Sequence, residues 1–329
     1  MAVSLPMARY EIPDRLVVAI GGNAIHPGEI RGTVSQQRDI AAQTGAALLP
    51  LMQRKNRLVI THGNGPVVGK ILMRQALSRR RVAPMTLDIC VAHSQGGIAY
   101  LLMQALENTL RKSGDPRHVV CLLTQVEVDS SDPAFRNPTK PIGFEFDAED
   151  ARAVEAEFGW AMREEQSGRY RHVVASPEPK HIADVSLIET VAETGAIIIA
   201  GGGGGIPVER AEDGTRRGLE AVIDKDLMSA YLANKLGYDT LVLLTEAPAV
   251  AVEFGRPGER WLDTVRAAEL RRLQAEGHFP PGSMGPKVEA ALRFVEGGGK
   301  RAIIGQLFQV MDVLEGNAGT HVVPGQPLR

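Results

Sequence analysis

The chain has 329 residues, enough to bury the core of one large α/β domain or two smaller ones without disulfide or metal staples. Hydrophobic residues make up 44% and aromatics only 5%, so the core rests on Val, Ile, Leu and Ala, which suits parallel strands covered by helices. A formal net charge of -2 excludes a global basic field for nucleic acid, and no apolar run reaches the roughly 18 residues of a membrane-spanning helix.

Strand and helix patterns alternate. "RLVVAI" (15–20) predicts a strand that ends in Gly21-Gly22-Asn23, and a long helical pattern follows over residues 33–55. "RLVIT" (57–61) predicts a second strand, ending in His62-Gly63-Asn64-Gly65-Pro66, followed by helices over 67–78 and 88–112. "VVCLLTQVEV" (119–128) reads as one strand. Residues 129–170 are polar, rich in Asp, Glu, Pro and Phe, and show no clear buried strand, so they read as a protruding lobe. "HVVAS" (172–176), "AIIIA" (196–200), "TLVLLT" (240–245) and "RAIIG" (301–305) resume the buried-strand pattern. Residues 206–224 read as two short strands joined at Asp213-Gly214, a hairpin signal. No repeat or linker divides the chain, which is expected to form a single domain over 1–329 with the lobe inside it.

This alternation predicts an α/β fold with a mainly parallel sheet and helices on both faces, and such sheets bind ligands at the carboxyl ends of their strands. Glycine-rich and polar signatures fall there, after residues 20, 61, 200 and 245. The densest is the run Gly201 to Gly205. It is not a dinucleotide turn, because the last position of each G-x-G-x-x frame is Ile206, Pro207 or Val208. Nor is a P-loop present: Gly69-Lys70 is followed by Ile71, and Gly299-Lys300 by Arg301. Five glycines in a row are costly in backbone entropy, so either a tight turn or close backbone approach requires them. With two more glycine-rich strand ends in the chain, they point to an N–H cradle for a small anion, a set of phosphates.

Three lysines are placed to compensate that charge. Lys225 lies between Asp224 and Asp226 at a predicted helix start, where Asp224 is also a good N-cap. Lys287 falls in a helix's first turn, against the helix dipole unless an anion sits there too. Lys140 lies in the lobe, in "NPTKPIG". Phosphoryl transfer needs in-line positioning and positive charge more than covalent help. His62 is either a base or a residue that orients its loop. Cys90 and Cys121 have no CxxC or metal-ligand spacing and read as reduced thiols, and the N-terminus lacks a signal-peptide pattern, so a cytoplasmic location is expected.

Nearly the whole chain resembles the carbamate kinases, of the amino acid kinase fold. The resemblance rests on "GGNAI" (21–25), "THGNGPVVG" (61–69), "SQGGIAY" (94–100), "DPAF" and "NPTKPIG" (132–143), and "ASPEP" (175–179). It continues in "GGGGIPV" (202–208), "AVIDKD" (221–226) and "GSMGPKVEAA" (282–291). It implies a three-layer sandwich, with a mainly parallel eight-stranded sheet between helices and a small protruding subdomain over the active site. It also implies ATP + carbamate ⇌ ADP + carbamoyl phosphate with Mg²⁺, a homodimer, and operation toward ATP in a catabolic pathway such as that of arginine.

By this resemblance Gly21, Gly22 and Asn23 bind the transferred phosphoryl group, Gly63, Asn64 and Gly65 hold it and the carbamate, and Gly202, Gly203 and Gly204 line that pocket. Lys225 and Lys287 neutralise the phosphates, and Asp224 or Asp226 orients the lysines and helps hold the Mg²⁺ shell. Lys140 closes over the carbamoyl group, while Thr245, Glu246, Ala249, Val250, Met284 and Gly285 border the nucleotide with Lys287. The chain departs from the family at Val67, where Gln is common, and at Phe144-Glu145-Phe146, where Pro and aromatics are common. It departs again at "EAPAV" (246–250), where Asp-Val is common. The first two departures lie near the acceptor and the third near the nucleotide. Two other functions fit the same residues: a kinase for another small carboxylate or carbamate-like acid, and a non-catalytic sensor of ATP or carbamoyl phosphate.

Overall fold

The computed structural model describes residues 10–22, 32–280 and 282–325. The chain begins with β1 (Arg15–Ile20), α1 (Val34–Met52), β2 (Arg57–His62), α2 (Gly65–Ser78), α3 (Leu87–Lys112) and β3 (Val119–Leu122). It continues through β4 (Gln125–Glu127), β5 (Lys140–Phe146), α4 (Ala148–Phe158), β6 (Met162–Gln166), β7 (Arg169–Val174), β8 (His181–Ile182) and α5 (Val185–Glu193). Next come β9 (Ile197–Ala200), β10 (Ile206–Arg210), β11 (Arg216–Gly218), α6 (Lys225–Lys235), β12 (Thr240–Thr245), β13 (Val250–Val252) and β14 (Arg260–Leu262). The last are β15 (Thr264–Arg266), α7 (Ala267–Ala275), α8 (Met284–Glu296), β16 (Arg301–Gln306), α9 (Val310–Glu315) and β17 (Thr320–Val323).

Eight strands form the main sheet in the order β15-β17-β16-β12-β1-β2-β9-β3. Every neighbouring pair is parallel except β16 with β17. Successive side chains of a strand point to opposite faces, and both faces here are apolar. Val17 and Ala19 of β1 pack with α6 and α8 through Met228, Leu232, Val288 and Leu292. Leu16, Val18 and Ile20 pack on the other face with α1, α3 and α9 through Leu48, Leu102 and Val313. The result is the helix–sheet–helix sandwich expected from the sequence.

Two strand expectations are corrected. Residues 119–128 are not one strand: β3 stays at the edge of the main sheet, while β4 pairs with β10 and β8 in a smaller sheet. The break falls at Thr124, whose N–H is taken by the Gln95 side chain instead of a neighbouring strand. "HVVAS" does not rejoin the main sheet either, because β7 pairs with β5 and β6. Residues 129–170, read as showing no clear buried strand, carry the largely unburied strands β5 and β6. Only Ile142 and Phe146 of β5 are buried, so no continuous apolar run marks it. The hairpin at Asp213-Gly214 forms as expected, with β10 and β11 antiparallel.

The lobe formed by β5, α4, β6 and β7 rests on α2. At this seat Gly69 meets Gly143, and a Cβ on Gly69 would collide with the Gly143 backbone. Gly143 has φ +74, a conformation that L side chains rarely adopt. At the far end of α2, Arg79 lies over the Phe158 ring, 4.5 Å from its centroid, and pairs with Glu157 at 3.1 Å.

Candidate active site

A cavity of about 630 Å³ opens at the carboxyl ends of β1, β2, β12 and β16, beneath the lobe. Three helices begin on its wall. Their N-cap residues, Asn64 for α2, Asp224 for α6 and Ser283 for α8, all line it. Pro66 in the first turn of α2 presets the helical φ. Each helix start carries the positive end of the helix dipole, so the three together favour an anion.

The glycines divide by role. Gly21, Gly22, Gly63, Gly65 and Gly203 line the cavity. The β1 and β2 loops touch backbone to backbone, and a Cβ on Gly63 would lie 2.8 Å from the Gly22 nitrogen. Gly202 and Gly204 are buried behind the wall. A Cβ on Gly202 would collide with the His62 ring, and one on Gly204 with the Ile223 carbonyl. The close approach that the run of glycines demands therefore comes mostly from the protein itself, and only Gly203 reaches the cavity. Asn23 lies outside the described residues.

The three lysines meet at α6. Lys140 Nζ donates to Asp224 Oδ2 at 2.8 Å, bridging the lobe to the helix start. Lys225 Nζ lies 2.5 Å from Asp226 Oδ1, and Lys287 Nζ 3.3 Å from Asp226 Oδ2. Lys225 is 9% exposed and Asp226 3%. Burial, with Lys287 alongside, draws Lys225 below the ordinary ammonium range while Asp226 opposes that shift. Burial would raise Asp226, but Lys225 and Lys287 hold its carboxylate far below the usual range. Desolvating such ions costs several kcal/mol each, and a buried ion cluster is weak evidence for stability. This one makes physical sense as a preset array of charge.

Residues 14–306 match the amino acid kinase family. A carbamate kinase of Pyrococcus horikoshii is 43% identical over 315 residues, which cover 95% of this chain and 100% of that one. Carbamate kinase 2 of Staphylococcus aureus is 43% identical over 312 residues, covering 94% and 99%. The structure of a carbamate kinase from Giardia lamblia bound to AMP-PNP matches with a TM-score of 0.86 at 35% identity, over 94% of this chain and 98% of that one. The chain belongs to the amino acid kinase family. Within it, the chain's relatives are the carbamate kinases.

As in other kinases, a nucleotide needs a wall of its own. Thr245, Glu246 and Lys287 line the cavity, but Ala249 and Val250 do not. Both are buried, and the Val250 N–H donates to Thr320 Oγ1 at 2.9 Å. Met284 and Gly285 open α8 outside the lining, and the Gly285 N–H donates to the Pro280 carbonyl. The structure adds Gln306, Leu307 and Phe308 at the end of β16, Gln43 and Thr44 of α1, and Arg171 of β7. The strand-end rule points to the β16 group, whereas no local motif marks Gln43, Thr44 or Arg171.

The two aspartates do not fit a resident metal in this kinase. Asp224 Oδ1 accepts the N–H groups of Asp226 and Leu227, and its Oδ2 accepts Lys140. Both Asp226 oxygens carry lysines. Among the described residues no group of three or more His, Cys, Asp or Glu could hold a metal ion.

His62 is wholly buried beneath the glycine turn, outside the cavity lining, with Nδ1 3.1 Å from the Gly63 carbonyl. Burial, against the pull of that carbonyl, takes its imidazole down to about 4. It packs the loop and does not serve as a base. Burial also takes His172 and His321 down to about 4. In the unfolded chain these rings titrate near pH 6.5, above their folded values. Below pH 6.5 the unfolded state therefore binds the extra protons. Stability is unaffected above that pH, falls between about 6.5 and 4, and has lost the full amount below 4. At pH 5 each ring accounts for about 2 kcal/mol of the loss. The urea midpoint should be clearly lower at pH 5 than at pH 7, and His321→Phe should remove about a third of that difference. Equal midpoints at the two pH values would contradict this account.

Proposed function

We propose that the protein is a carbamate kinase, transferring a phosphoryl group reversibly between ATP and carbamate and working toward ATP in catabolism. The observation that carries this reading is the convergence of three lysines and three helix N-termini on one cavity, arranged around Asp224 and Asp226. In the ATP-forming direction an oxygen of the ADP β-phosphate attacks the phosphorus of carbamoyl phosphate. A P–O bond to ADP forms, the P–O bond to carbamate breaks, and carbamate leaves as an anion. Neither nucleophile nor leaving group needs a proton moved, so the absence of a base at His62 is no obstacle. Lys225 and Lys287 lie where they can stabilise charge on the transferring and bridging oxygens, and Asp226 holds both in place. Magnesium enters this reading as part of the nucleotide substrate, neutralising its phosphates.

The acceptor-side departures lie off the cavity. Val67 packs against the core, and Phe144 and Glu145 are exposed outside the lining, which favours an unchanged acceptor. A homodimer formed through α3 is also part of the proposal. Gly96 and Gly97 would each cost about 1 kcal/mol relative to Ala in a helix, yet among the described residues nothing outside their own helix backbone and chain neighbours lies within 4 Å of their would-be Cβ atoms. Exposed Tyr100 follows on the same helix, and exposed Leu123 follows the edge strand β3. Free Cys90 and Cys121 support a reducing, cytoplasmic setting.

The test is ATP formation from ADP and carbamoyl phosphate, beside acetyl phosphate and other acyl phosphates. Activity confined to another acyl phosphate would move the assignment to a different acid, and binding without turnover would favour a sensor. Lys140 gives a sharper check. Lys140→Met should raise KM for carbamoyl phosphate at least tenfold while ADP affinity, measured by calorimetry, stays within about twofold. Equal loss of ADP binding would remove Lys140 from the acceptor end.

A further inference from the structure

The stretch "SQGGIAY" has no part in the transfer chemistry above, yet its first two residues are polar and almost wholly buried, Ser94 at 0% and Gln95 at 1% exposure. Each holds a different loop. Ser94 Oγ accepts from Asn64 Nδ2 at 2.9 Å and donates to the Val91 carbonyl at 2.6 Å. Gln95 Nε2 donates to the Gly202 carbonyl at 2.9 Å, and its Oε1 accepts the Thr124 N–H at 2.7 Å. Thr124 completes the clamp: its Oγ1 accepts the Gly201 N–H and its carbonyl the Ile206 N–H, each at 2.8 Å. The glycine turn is thus held at both ends and in the middle. The two loops also meet, because the Asn64 amide occupies the space into which a Gly203 side chain would project.

We propose that Ser94 and Gln95 are positioning residues for phosphoryl transfer, consecutive residues of one helix that set the spacing between the β2 loop and the β9 glycine turn. The proposal rests on the carbamate kinase reading. A turn made of glycine has no side chains of its own to fix it, so its position must come from neighbours. Asn64 and Gly203 line the cavity, whereas Ser94 and Gln95 do not, and they act only through those loops. In-line transfer is sensitive to displacements of about 1 Å, which can cost about 10²-fold in rate.

The experiment uses full-length Gln95→Met and Ser94→Ala, assayed for ATP formation and by amide hydrogen exchange. In each variant kcat should fall about tenfold or more while KM for ADP stays within about twofold, because the ends of β12 and β16 are untouched. Residues 201–205 should exchange faster in Gln95→Met, and β12 should not. The proposal is overturned if both variants keep kcat within about twofold of wild type, if KM for ADP rises in step with the loss, or if activity merely tracks the unfolded fraction. Should Gln95→Met fail to fold, Ser94→Ala carries the test. If the wild type forms no ATP, the carbamate kinase reading fails on its own, and exchange at residues 201–205 then decides the clamp. Unchanged exchange there overturns it.

Discussion

Lys225→Ala is expected to lower kcat by about 10² to 10³, about 3–4 kcal/mol of transition-state stabilisation, while the chain still folds. Lys225 is the first residue of α6, so its ammonium adds to the positive end of that helix. Asp226 and the surrounding burial hold it in place before any substrate arrives. Removing it leaves Asp226 with Lys287 alone, and breaking a buried pair costs about 3–5 kcal/mol of stability, so the thermal midpoint should fall as well. Adding Asp226→Asn separates the two effects: it should restore much of the midpoint and none of the rate. Lys287→Ala should match the rate loss, and the double lysine variant should lose less than the sum, because in the proposed reaction both charges act on one phosphoryl group. Strict additivity, or a rate recovered along with stability, would assign these lysines a structural role.

Gly203→Val should reduce turnover below detection in a protein that remains folded. Gly203 has φ +67, a region that β-branched residues avoid, and its new Cβ would collide with the Asn64 amide. Asn64 is tied to Ser94 and cannot swing away without losing that bond. The turn must therefore shift, and it shifts at the cavity wall. The backbone strain is of the order of 1–3 kcal/mol, too little to unfold a typical domain. Gly214→Val provides the control. Gly214 has φ +85 in the hairpin between β10 and β11, and among the described residues only the tip of Arg210 comes near its would-be Cβ. It should show similar strain with full activity. Near-normal turnover in Gly203→Val would make the glycine turn a mere connection.

The parts of this molecule written into local pattern were legible in the sequence. Apolar runs such as 15–20 and 240–245 are buried strands, and Gly21, Gly22 and Glu246 that follow them line the cavity. Lys225 and Lys287 could be assigned to helix starts because caps and breakers surround them. What escaped depends on contacts distant in sequence. The 119–128 run splits because Gln95, 29 residues earlier, takes the Thr124 N–H. In the lobe, β5 escaped because only isolated positions, Ile142 and Phe146, are buried. Ala249 and Val250 follow a cavity-lining strand end yet turn into the core, where Thr320 meets the backbone of Val250. Arg171 reaches the cavity only because the lobe folds over α2.

The meeting of Gly69 with Gly143 lets the lobe sit close enough for its Ile142 and Val174 to share one apolar cluster with Val68 of α2. The same helix has Asn64 at its head, and Gly69 lies four residues into α2 from Gly65, about 6 Å along its axis. A phosphate drawn to the head and the lobe seated on Gly69 would therefore bear on one rigid rod. Arg79 fastens the far end of the lobe, and the Lys140–Asp224 pair latches the near end. In the proposed reaction, exchanging that latch for substrate would free the near end of the lobe while the seat on α2 and the sheet below keep their packing.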